Sequence, residues 1–180
     1  PDTYINVHDM ELSTFSKSAP KMHKFTWDIT TDNGTMPSYS YVIVDDGADT
    51  YKYETYSNEC EVHSLKLNTE YTWKVETHFG NGGSTVFTSE TSTFKTTGDA
   101  PRNIFVEGME NVRDLGGWNI GEGKLFKQGL IYRSAELNGN ENGLSKPTDA
   151  GKKMLLENLH IKSDIDVRKE SEIYGITSSP

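Results

Sequence analysis

The stretch Asn111-Val112-Arg113-Asp114-Leu115-Gly116-Gly117-Trp118, taken up again at Gly129-Leu130-Ile131-Tyr132-Arg133-Ser134, separates two kinds of sequence in this 180-residue chain. Only here do charged residues, paired glycines and an apolar run stand together, a combination that a site explains better than packing does. The residues before it read as an all-β domain, those after it as the opening of an α/β domain. Gly116-Gly117 predicts a backbone with positive φ or the close approach of another chain segment. Gly121-Glu122-Gly123 reads as a turn between Trp118-Asn119-Ile120 and Leu125-Phe126. Leu130-Ile131-Tyr132 reads as a buried strand that delivers Arg133 and Ser134.

Working downstream, Ser145-Lys146-Pro147-Thr148-Asp149 is a helix start: Ser145 or Thr148 can cap, Pro147 is tolerated in the first turn, and Asp149 suits the positive end of the dipole. Ala150, Met154, Leu155 and Leu159 recur at helical spacing, so the helix should run to about Asn158. Residues 161–167 then read as a strand, with Ile161, Ile165 and Val167 on one face and Asp164 and Asp166, followed by Arg168, on the other. Strand, helix, strand at these lengths predicts a right-handed βαβ unit with a parallel sheet. Ligands bind at the carboxyl ends of such strands, which would bring Arg133 and Ser134 to the same edge as Asp166 and Arg168.

Upstream, the pattern has period two. Tyr71, Trp73, Val75 and Phe79 alternate with Thr72, Lys74, Glu76 and His78; Phe25, Trp27 and Ile29 form a similar apolar set, as do Tyr39, Tyr41 and Ile43. Asp32-Asn33-Gly34, Asp45-Asp46-Gly47 and Gly80-Asn81-Gly82-Gly83 supply turns. About seven short strands predict an antiparallel β-sandwich. Residues 1–19 are expected to add a first strand. Trp27, Tyr71 and Trp73 are assigned to the core, whereas Tyr51, Tyr53 and Tyr56 suit either the core or a recognition face. Thr97-Gly98-Asp99-Ala100-Pro101 is the expected boundary, giving domains at 1–98 and 99–180.

Charge divides the same way. Residues 1–100 hold seven lysines, no arginine and fifteen acidic residues, a net of −8; all four arginines, Arg102, Arg113, Arg133 and Arg168, fall in the remainder, whose net is −1. Arginine suits bidentate capture of carboxylate or phosphate, and the acidic first part argues against nucleic acid or an anionic membrane as partner. The single cysteine, Cys60, excludes an intrachain disulfide and a cysteine metal cluster. Flanked by Glu59 and Glu61, it reads as an inert strand residue. The five histidines lack ligand spacing, so no metal and no cofactor are expected, and no apolar run is long enough for a membrane span. The start at Pro1 is neither an initiator Met nor a signal peptide, which suggests a processed or trimmed chain and leaves export open.

Two resemblances sharpen these expectations. Residues 20–97, with Trp27, the run Leu67-Asn68-Thr69-Glu70-Tyr71-Thr72-Trp73 and the closing Phe94-Lys95-Thr96-Thr97, resemble a fibronectin type III domain, in which Leu67 and Tyr71 would form the tyrosine corner. The order Asn-x-Arg-Asp-x-Gly-Gly from Asn111, Tyr-Arg-Ser from Tyr132, a helix, and Ile-Asp-x-Arg from Ile165 resembles the cysteine-dependent bacterial tyrosine phosphatase family across residues 103 to about 172. That resemblance implies hydrolysis of a phosphorylated protein or small phosphomonoester through a cysteinyl-phosphate intermediate, with arginines holding the phosphate oxygens. It also implies a His-Cys-x-x-Gly-x-x-Arg loop, which residues 1–180 lack. The nucleophile is therefore expected beyond Pro180 or on a second chain, with no catalytic nucleophile among these residues.

The candidate pocket-lining or supporting residues are Arg113, Asp114, Arg133, Ser134, Asp166 and Arg168. Arg113 suits a bracing pair with Asp166 or another carboxylate somewhat better than a phosphate contact, Asp166 suits orientation of the absent loop or proton transfer, and Asn111 suits tying down a turn. A complementary segment is expected to cover the open strand edge at 161–167. The competing reading is a non-catalytic interaction protein whose sandwich recognises a glycan or protein. The domain combination points to an exported or cell-surface location.

Overall fold

The computed structural model describes residues 20–31, 34–137 and 145–168, so the strand expected in residues 1–19 and the turn residues Asp32 and Asn33 lie outside the described residues. The chain forms two compact units, the first spanning Lys21–Gly98 and the second taking up the chain from Asp99.

The first unit is built from β1 (Met22–Thr26), β2 (Tyr39–Asp45), β3 (Thr50–Thr55), β4 (Glu59–His63), β5 (Glu70–Phe79), β6 (Thr85–Thr88) and β7 (Ser92–Lys95). Strand β1 pairs with β4, and a five-stranded sheet runs β3-β2-β5-β6 with β7 also pairing to β5; every ladder is antiparallel. Both sheets contribute to one core of Phe25, Val42, Val44, Cys60, Val62, Leu65, Tyr71 and Val75, against which Trp27, Tyr51, Tyr53, Trp73 and Phe94 pack. In β5 the buried face is the expected one, carrying Tyr71, Val75 and Phe79. In β2 the phase is reversed: Ser40, Val42 and Val44 are buried, and Tyr39, Tyr41 and Ile43 face outward. Period two marks a strand but leaves the choice of buried face to the register with its neighbours, and Val42 is paired with Val75 while Val44 is paired with Trp73. The buried Tyr71 hydroxyl accepts a hydrogen bond from the Lys66 amide at 2.8 Å, tying the strand to the chain five residues upstream.

The second unit contains β8 (Arg102–Asn103), β9 (Arg113–Asp114) and β10 (Tyr132–Arg133), in the order β10-β9-β8 and antiparallel throughout. Among the described residues its helix is α1 (Asp149–Lys153), which continues into a wider π turn over Met154–Asn158. Thr148 is the cap, its hydroxyl accepting from the Gly151 amide at 3.1 Å. Ile104, Val106, Met109, Val112, Leu155 and Leu159 form the core, with Tyr132, Leu137, Met154 and Ile161 packed against it. No described helix is long and apolar enough to cross a membrane.

The predicted parallel α/β sheet is corrected by this topology. A βαβ unit needs residues 130–132 and 161–167 as parallel neighbours, but Tyr132 and Arg133 pair antiparallel with β9, and residues 162–167 belong to no strand and are exposed, Val167 at 90%. Alternation at 161–167 marks a strand only where a neighbour completes the ladder and a layer covers its apolar face. Among the described residues neither is present, and the helix buries Leu155 and Leu159 against the Ile104 to Val112 loop instead of a sheet face. Ile165 is 81% exposed. Leu130 and Ile131, expected to be buried, are likewise 60% and 51% exposed.

Candidate anion-binding site

Strand β9 holds the two charged residues of Arg-Asp on opposite sides, because successive side chains of a strand alternate. Asp114 faces inward and is fully buried. Its Oδ2 accepts from Arg102 Nη2 at 2.6 Å and from the Gly129 amide at 2.7 Å, and its Oδ1 accepts from the Gly116 amide at 2.8 Å. One carboxylate thereby joins β8, the Gly116 turn and the loop before β10. Arg102, which sequence reasoning counted only as one of four arginines, is its charge partner and is itself 4% exposed. The glycines make that convergence possible. A Cβ on Gly116 would stand 2.3 Å from Gln128 Cα, and Gly117 adopts φ +89°, so the pair realises both close approach and positive φ.

Arg113 faces the other way. It stands directly opposite Arg133 in the β9/β10 register, which puts the two stems about 5 Å apart at Cβ. Asn111, Arg113, Arg133, Ser134 and Ala135 line a concavity of about 170 Å³. Arg113 Nη2 donates to Asn111 Oδ1 at 3.2 Å, and neither guanidinium has a carboxylate partner among the described residues. Directly opposed like charges destabilise a strand pair, and an anion seated between them would relieve that repulsion while accepting bidentate hydrogen bonds. Ser134 Oγ donates to the Ala135 carbonyl at 2.7 Å. Asn111 adopts φ +55° and lines the cavity. The place of Asn111 and Ala135 in the cavity wall was invisible without the register.

Arg168 is engaged elsewhere. Its Nε and Nη2 grip the Asp166 carboxylate at 2.9 and 2.5 Å, and its Nη1 reaches Glu136 Oε2 at 2.6 Å. The Arg168 side chain and backbone amide hold the Asp166 carboxyl down at about 2, so in this arrangement Asp166 is a carboxylate at neutral pH and not a proton donor. The predicted Arg113 to Asp166 pair is replaced by this one. Glu136 follows directly on Ala135, so Asp166 and Arg168 stand beside the cavity without lining it.

Cys60, in β4, is buried in the first unit's core, and burial followed by the Glu61 charge pushes its thiol up from the ordinary value. A thiol raised in this way is a poor nucleophile. Among the described residues no group of three His, Cys, Asp or Glu side chains could hold a metal ion.

Residues 104–180 match the model of the tyrosine phosphatase family. All six candidate residues fall inside that match, which covers less than half of the chain. At this coarse level the second unit is similar to tyrosine phosphatases, and a phosphatase-like function follows for it. Neither a curated protein nor a solved structure matches the chain.

Proposed function

We propose that the cavity between β9 and β10 is the phosphate-recognition wall of a phosphomonoester hydrolase whose thiolate nucleophile is supplied from outside residues 1–180. The observation that carries this reading is the direct opposition of Arg113 and Arg133, without carboxylate partners among the described residues, inside a stretch similar to tyrosine phosphatases. Two guanidiniums holding the non-bridging oxygens neutralise charge that spreads over them as the phosphoryl group moves. A thiolate would attack phosphorus, the alkoxide or phenoxide would depart with a proton from an acid, and water would hydrolyse the cysteinyl phosphate to release phosphate. Arg113 and Arg133 would hold the phosphoryl oxygens through both displacements. Asp114, clasped by Arg102 and two amides, fixes the strand that presents Arg113. The substrate class is a phosphorylated protein or a small phosphomonoester.

Since Cys60 is buried with a raised thiol, residues 1–180 alone should bind a phosphate analogue without turnover. Assay of this chain with para-nitrophenyl phosphate should give no release of nitrophenol above buffer. Release that disappears in Cys60→Ser would overturn the assignment of the nucleophile to another segment.

A further inference from the structure

We propose that the edge strand β6 of the first unit is a self-association site, which takes β6 of a second copy of this chain antiparallel about a two-fold axis at Phe87. Among the described residues, β6 (Thr85–Thr88) ends one side of the five-stranded sheet and pairs with β5 alone. All four of its residues are exposed, Val86 at 48% and Phe87 at 63%. Just past the strand, the Ser89 amide donates to the Val75 carbonyl at 2.9 Å. In an antiparallel ladder, pairs that exchange backbone hydrogen bonds alternate with pairs that do not. Carried through the register, that alternation makes Thr77 with Phe87 and Phe79 with Thr85 the bonded pairs. The backbone amides and carbonyls of Val86 and Thr88 therefore point away from β5, where they form an open template for another strand.

The residues of this edge suit a copy of themselves. Soluble proteins blunt sheet edges with charge, proline or a bulge. The strand on the opposite side of the sheet, β3, carries Lys52 and Glu54, whereas Thr85-Val86-Phe87-Thr88 has neither charge nor proline. Setting Val86 opposite the partner's Thr88, and Thr88 opposite the partner's Val86, joins the outward amides and carbonyls in two bonded pairs. Phe87 then stands opposite the partner's Phe87 as the non-bonded pair between them, about 4.5 Å apart at Cα. An aromatic pair at such a position stabilises strand pairing. Phe87 is set for it, since its ring already meets Phe79 edge to face at 5.7 Å. The same register keeps charges apart: Glu90, the nearest charged residue in sequence, falls opposite Ser84 where the ladder runs on. Two copies that each carry −8 over residues 1–100 repel one another, and a charge-free seam lets them meet without opposed carboxylates. The contact is isologous, the same patch serving both copies, so it closes at a dimer.

Sedimentation velocity of the whole chain from about 10 μM to about 1 mM tests the site, a seam of one short strand belonging to the weak class of interfaces. The wild type should pass from monomer toward dimer across that range. Val86→Pro removes an outward amide that β5 does not use, and Phe87→Lys or Phe87→Glu sets like charges opposite each other at the axis. Each variant should raise the dimer dissociation constant at least about tenfold, with unchanged circular dichroism showing that it folds. Mixing Phe87→Lys with Phe87→Glu in equal amounts should restore the dimer, because opposite charges then meet across the axis. A wild type that stays monomeric throughout, the outcome expected if the edge is kept for a strand of another protein, overturns the proposal. Dimerisation undiminished in Val86→Pro and both Phe87 variants overturns it too, as does a mixture of the two charge variants that remains monomeric.

Discussion

Arg113 and Asp114 are neighbours in sequence with opposite tasks, and substitution should separate them. Asp114→Ala would leave the Arg102 guanidinium buried without its counter-charge and two amides without an acceptor. The expected loss is about 3–5 kcal/mol, read as a lower urea midpoint for the second unit. Arg133→Ala removes one of two opposed like charges from an exposed position, so stability should change by no more than about 0.5 kcal/mol, with any gain largest at low salt. Gly116→Ala must displace backbone 2.3 Å from the new Cβ, and should cost about 1–3 kcal/mol in the same measurement. The sequence marked Arg113, Asp114, Gly116 and Gly117 as special and gave the right reason for the glycines. It did not reveal which of the two charged residues turns inward. A two-residue strand has no periodicity to read, and the answer comes from Arg102, twelve positions away, arriving opposite Asp114.

At the scale of elements, local chemistry was legible and long-range pairing was not. Of Ser145 and Thr148, the two caps read from the sequence, Thr148 caps the helix, and the helical turns reach Asn158. Residues 161–167 carry the alternation of a strand without a partner, and β2 buries the face opposite to the one its tyrosines suggested, because partner and phase are set by neighbours distant in sequence. The loop after β2 shows how such contacts fix an element. Lys66 Nζ reaches Asp46 at 2.6 Å and Asp49 at 2.7 Å. Burial alone would raise the Asp46 carboxyl, but the Lys66 ammonium and the amides of Asp49 and Ala48 offset this and hold it below its ordinary 3.8. His63 is pushed down from 6.5, chiefly by burial. Both folded values lie below the unfolded ones, so the unfolded chain binds more protons and stability rises with pH in each window. Thermal melting of the first unit should therefore fall as pH drops below about 6.5, and fall again below 3.8. Lys66→Met, which strands a carboxylate whose side chain is 2% exposed, should lower the melting temperature at neutral pH and flatten the acidic limb below 3.8. An unchanged acidic limb in that variant would remove the ion pair from the explanation.

For the molecule as a whole, the division of labour follows the division of charge. The acidic first unit holds the single cysteine out of reach in its core and gathers aromatic rings on an outer face. The second unit keeps every arginine, burying one with Asp114, tethering one to Asp166 and Glu136, and leaving two opposed at a cavity. The tyrosine phosphatase likeness expected from the sequence is matched at the level of the family over residues 104–180. The sheet of the second unit was not legible, because among the described residues its strands pair antiparallel. Phosphate recognition by Arg113 and Arg133, as proposed, needs no nucleophile. Titrating phenylphosphonate into the isotopically labelled chain and following backbone amide resonances tests it most directly. Saturable shifts confined to residues around 111–114 and 132–135, about tenfold weaker in Arg133→Ala and diminished by added salt, are the predicted result. No shift in those amides, or an equal affinity in the Arg113→Ala, Arg133→Ala double variant, would contradict it.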